Sequence, residues 1–122
     1  MAAALTSLVI EGVPERFPKL KFVFIEGGFG WVPAITWRMD KHWQRFRDEV
    51  PHVKRPPSEY VRERFWFTTQ PIEEPDNARH LRTVIEWIGV DRAKLPDLVP
   101  TLVYVTLAPF LDTQDAYDVA VG

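Results

Sequence analysis

The chain reads as an α/β protein, parallel strands alternating with helices, and three observations carry that expectation. Phe22, Val23, Phe24 and Ile25 form a continuous apolar run, which suits a strand covered on both faces rather than one with a wet side. Glu26 and a glycine turn, Gly27, Gly28 and Gly30, follow at once and lead into a helical segment. Helix-like and strand-like stretches alternate along the rest, implying right-handed crossovers and a parallel sheet.

Taken in order, Ala2 to Gly12 places Leu5, Leu8, Val9 and Gly12 at helical spacing and closes on a glycine stop. Pro14 to Pro18 is a connector, and Lys21 to Glu26 is the first strand. From Trp31 the apolar positions Trp31, Ile35, Met39, Trp43 and Phe46 predict a helix reaching about Asp48, with Pro33 in its tolerant first turn. Val50 to Pro57 holds three prolines and two basic residues and reads as an irregular surface crossing. Ser58 is the expected cap of a short helix, Glu59 to Arg64. Phe65 to Gln70 is β-prone and reads as a second strand. After a polar loop, Asp76 or Asn77 caps a helix with the stripe Leu81, Val84, Ile85 and Ile88, ended by Gly89. Ala93 to Pro100 is loop-like, Thr101 to Leu107 strand-like, and Asp112 to Gly122 a polar tail. This divides the chain into a main part, residues 1–92, and a divergent end, 93–122, with one further strand.

Composition narrows the function classes. A chain of 122 residues allows one domain with a modest core. A net charge of −2 gives no field for nucleic acid or for an anionic membrane, and no apolar run reaches spanning length. The chain has no cysteine, which removes disulfides and thiolate metal sites and fits the cytoplasm. Five Trp and eight Phe need a large partner surface or an aromatic pocket. Three strands cannot close a barrel, and an open sheet of three would leave bare edges. The chain reads as part of a larger sheet.

The stretch Gly12 to Pro33, G-V-P-E-R-F-P-K-L-K-F-V-F-I-E-G-G-F-G-W-V-P, closely resembles the amidohydrolase-related family of metal-dependent (β/α)8 TIM barrels. That family includes the aminocarboxymuconate-semialdehyde decarboxylase-like enzymes. The likeness continues through Trp37 to Trp43, Pro57 to Pro71 and His80 to Arg92. It implies a partial barrel, the C-terminal half, with Lys21–Glu26 as the sixth strand and Phe65–Gln70 as the seventh. It also implies a divalent, zinc-like metal and a small organic substrate cleaved at a C–N or C–C bond.

Residue by residue, the likeness transfers unevenly. The family's H-x-H pair and its fifth-strand histidine are metal ligands on strands that would precede Met1. Glu26 stands where the decarboxylase branch has an acid/base histidine, so it is the expected catalytic residue, with Gly27, Gly28, Trp31 and Thr69 around the substrate. In the best alignment of the tail, Leu107 falls where the metal aspartate belongs and Phe110 where a histidine does. A leucine cannot ligate a metal, so no metal ligand is expected in this chain, and the chain alone is expected to be an inactive fragment of such an enzyme.

Each of these residues also has a plainer role. Glu26 could cap its turn or pair with Arg38. G-G-F-G lacks the spacing and the Lys-Ser/Thr of a P-loop, so a tight backbone turn is the better reading of the glycines than a phosphate cradle. His42, His52 and His80 form no ligand motif. Basic residues near Trp43 and Phe46 read as a solvated face, not a nucleic-acid groove. The second functional expectation is a non-catalytic assembly module whose aromatic open sheet pairs with a second copy, as a homo-oligomer, or with a missing N-terminal half.

Overall fold

The computed structural model describes residues 1–68, 71, 73, 75–77 and 79–89. The elements run α1 (Ala2–Ile10), α2 (Val13–Arg16), β1 (Phe22–Phe24), α3 (Val32–Arg45), a 3-10 turn (Arg47–Glu49), α4 (Pro57–Arg64), β2 (Phe65–Phe67) and α5 (Arg79–Ile88). The strands β1 and β2 pair in parallel. This is the α/β alternation expected from the sequence; the described residues form two strands, not a barrel. The strand-like stretch Thr101 to Leu107 and the whole of 93–122 lie outside the described residues. No described helix is long and apolar enough to cross a membrane.

Two compact units divide the chain. The first combines Met1–Phe24 with Trp31–Trp66; the second combines Ile25–Gly30 with the chain from Phe67 onward. In the first unit α3 packs on α4, and α1 packs on α2, α3 and α4. Leu5 and Val9 of α1, one turn apart, are almost wholly inaccessible, as are Val32 and Val61. Burying each such side chain contributes about 2 kcal/mol. Gly12 (φ 72°) ends α1 and starts α2. A Cβ there would sit 2.7 Å from His52 Cδ2. The His52 Nε2 in turn meets the Ile10 carbonyl at 2.7 Å, so the proline crossing is fastened to the end of α1.

The core face of α3 differs from the predicted stripe. Val32, Thr36, Met39 and Trp43 are buried, whereas Phe46 is exposed and caps the helix, which ends at Arg45 rather than Asp48. A buried threonine is tolerated because its hydroxyl donates to the Val32 and Pro33 carbonyls, at 3.0 and 2.9 Å. Trp43 anchors the crossing by donating its Nε1–H to the Val53 carbonyl at 2.8 Å. The cap of α4 is also corrected. Ser58 lies inside the helix, and its N–H is met by Asp40 Oδ1 of α3 at 2.9 Å.

Both strands are shorter than expected. Around them Phe22 stacks on Phe65 with ring centroids 4.6 Å apart, and Phe24 lies 5.9 Å from Phe65. Phe24 is buried while Val23 is 56% exposed, so β1 has one covered face and one bare face. Among the described residues, the expected cover on both sides of β1 is not met. In the second unit α5 starts from Asn77, whose Oδ1 accepts the Arg79 N–H at 3.0 Å, and stops at Gly89 (φ 76°). Among the described side chains of α5, Leu81 is buried.

Candidate functional site

The site lies in the second unit, where the chain leaves β1. Glu26 follows the strand with φ at 55°, and among the described residues it is the sole non-glycine at positive φ. That conformation brings Cβ close to the following carbonyl and costs about 1–2 kcal/mol. It persists because the turn is tied at both ends. At the entry, the Glu26 N–H donates to Thr68 Oγ1 at 2.9 Å. Thr68 directly follows β2 and is buried, so its hydroxyl is a fixed acceptor.

At the exit, the N–H groups of Phe29 and Gly30 donate to one oxygen of Glu73, at 3.3 and 2.8 Å. The glycines make room for that carboxylate. A Cβ on Gly30 would lie 2.8 Å from Glu73 Oε1, and one on Gly28 3.0 Å from it. Gly28 needs glycine for a second reason, its φ of 61°. The G-G-F-G stretch is thus a tight turn whose amides converge on an anion, and that anion is the chain's own.

The predicted site residues are distributed unevenly. Glu26, Gly27 and Gly28 lie together in this turn. Trp31 is the N-cap residue of α3 in the first unit, its ring edge-on to Phe24 at 6.5 Å. Thr69 lies outside the described residues. Glu26 is exposed, and the ion pairs among the described residues join Glu15 to Lys54 and Arg55 to Glu59 and Glu63, leaving it out. An exposed carboxylate on a pinned backbone can accept a proton or hold a water molecule.

Glu73 was not legible as a site residue in the sequence, where it is one of three acids in a polar loop. A signal existed: the glycine turn after β1 presents amides that need an acceptor, and the acids follow the neighbouring strand. Nothing local singles out Glu73 among them. Among the described residues there is no group of three or more His, Cys, Asp or Glu able to hold a metal ion. The histidines serve elsewhere: His52 holds Ile10, and His42 lies edge-on to Phe46 at 6.1 Å.

A family model described as Amidohydrolase matches residues 2–93, about three-quarters of the chain. No curated protein matches the chain.

Proposed function

From the premise that this chain belongs to the amidohydrolase family, we propose that it supplies the Glu26 edge of a substrate pocket in a hydrolase or decarboxylase acting on a small organic molecule. In this reading β1 and β2 are the sixth and seventh strands of a (β/α)8 barrel of the aminocarboxymuconate-semialdehyde decarboxylase-like branch. Glu26 takes the place of that branch's histidine and accepts a proton from water or substrate. Gly27 and Gly28 border the substrate. The observation that supports this most is the strained, twice-tied backbone at Glu26, since such strain collects where a side chain must be aimed.

Amidohydrolases generally use a divalent metal, which when bound polarises the substrate or activates water. The described residues offer one outward carboxylate at this turn and no cluster of three ligands, so they do not by themselves fit such an ion. No step is routed through it. The chain's own contribution is to aim a carboxylate and to shape the turn beside it. On this reading the isolated chain does not turn over substrate.

The test is an assay of the purified chain, with and without added Zn2+, on a panel of small amides and unsaturated carboxylic acids. Amide NMR shifts are followed in the same samples. The reading expects no turnover, but ligand-dependent shifts centred on residues 26–28 that are reduced in Glu26→Gln. Turnover with a retained metal would overturn the inactivity, and shifts unaffected by Glu26→Gln would overturn the pocket.

A second reading is favoured by the bare face of β1 and the exposed Phe17 and Leu20 that precede it. There the chain is a non-catalytic assembly module that buries this face against a second copy or against a separate barrel half. Light scattering decides: a monomer with cooperative unfolding at all concentrations counts against self-pairing.

A further inference from the structure

Glu73 does more than close a loop. We propose that it is a positioning residue for Glu26: by clamping the Phe29 and Gly30 amides, it keeps the turn from unwinding and holds Glu26 in its left-handed conformation at the strand end. The inference deepens the reading of Glu26 as the pocket carboxylate and rests on it.

A residue at positive φ without glycine's freedom relaxes unless its surroundings over-determine it. Here the determinants are few and can be named. The Thr68 hydroxyl fixes the entry to the turn through a single neutral hydrogen bond. The exit is fixed by a carboxylate, through a short charge-assisted bond from Gly30, about twice as strong as a neutral one, and a longer one from Phe29 to the same oxygen. The space is reserved as well, because side chains at Gly28 or Gly30 would crowd Glu73 Oε1. Phe29, between the two, is 4% exposed, so the turn's middle is anchored by burial and its exit by charge. Removing the charge frees the exit, and the strain at Glu26 then has a path along which to relax.

The experiment follows amide hydrogen exchange and the 13Cα and 13Cβ shifts of Glu26 in the whole chain, with the α3 amides as an internal reference for folding. In Glu73→Ala, exchange at Phe29 and Gly30 is expected to rise about tenfold. The Glu26 carbon shifts should also leave their left-handed values. Glu73→Gln keeps an acceptor oxygen and should restore the Glu26 shifts for the most part. Gly30→Ala, which displaces the carboxylate from the other side, should reproduce the Glu73→Ala shifts and add nothing to them in the double variant.

Faster exchange at Phe29 and Gly30 with the Glu26 shifts at wild-type values would overturn the proposal and leave Glu73 a loop cap. Moved Glu26 shifts combined with ligand binding indifferent to Glu26→Gln would keep the clamp and sink the pocket reading instead. Should Glu73→Ala lose its α3 reference signals, Gly30→Ala alone carries the same two readouts.

Discussion

The surroundings of Tyr60 and the turn at Glu26 treat polar groups in opposite ways. The Tyr60 side chain is 2% exposed, and every hydrogen-bonding capacity of its hydroxyl is used. It donates to the Glu15 carboxylate and accepts the N–H groups of Lys54 and Arg55, at 3.2 and 3.3 Å. The Arg55 guanidinium lies 4.6 Å over the ring and grips Glu63 with two bonds, at 2.9 and 3.0 Å. Burial, reinforced by the bond to Glu15, pushes the phenol above its ordinary pKa. The bond to Glu63 holds Arg55 firmly in its charged form. At Glu26 the order is reversed: the backbone carries strain and the carboxylate faces outward. Polar groups around Tyr60 stabilise the helices on the crossing loop, whereas at Glu26 the backbone takes on strain and the charge is left to solvent.

The largest way to test that contrast is Tyr60→Ala, expected to cost about 3–5 kcal/mol in urea unfolding, because it empties a buried ring site and strands three partners. Tyr60→Phe isolates the hydroxyl and should cost about 1–3 kcal/mol. It also has a pH signature whose sign follows from the raised pKa. A group raised in the fold contributes fully below its unfolded value, about 10 for a phenol, and loses that contribution as pH climbs through the higher folded value. Wild-type stability should therefore fall above about pH 10, and Tyr60→Phe should show a shallower fall there. An unchanged alkaline limb would remove the phenol from the account.

At the turn the expected sign flips. Glu26→Gly relieves the positive φ and should stabilise the chain by up to about 1 kcal/mol, while abolishing the ligand-induced shifts at residues 26–28. A destabilised Glu26→Gly would mean that the side chain carries structure, and the contrast with Tyr60 would collapse. The smallest effect concerns Arg64, whose Nε is buried without a hydrogen-bond partner among the described residues. Arg64→Met should be neutral or stabilising by less than about 1 kcal/mol, since it removes a desolvated donor and keeps the apolar stem.

Much of the helical structure was legible along the chain. Leu5 and Val9, Met39 and Trp43, Asn77 and Gly89 all act within one or two turns of their own helix, and spacing reports such partners. Spacing alone puts the α3 stripe one residue off at its start because Trp31 and Val32 are both apolar, and the tertiary face selects Val32. The residue type of Ser58 favours a cap, but Asp40, on the facing helix, supplies the acceptor and Ser58 lies inside α4. The apolar run of β1 suggests cover on both sides, whereas the described residues cover the Phe24 face and leave Val23 exposed.

Side-chain spacing and backbone stops thus located, from the sequence alone, α1, α3, α4, α5 and the cores of β1 and β2, while the short helix α2 at Val13–Arg16 falls where the spacing reads as a connector; the Gly12–Pro33 stretch points to the family that the match over residues 2–93 bears out. Only the tertiary structure decided which acid meets the glycine turn and that Glu26 adopts φ 55°. The reason is range. Helical contacts join residues three or four apart, whereas the ties from Glu26 to Thr68 and from Gly30 to Glu73 span 42 and 43 positions. Contacts at that distance leave no local spacing to read, and both begin in the turn that follows β1.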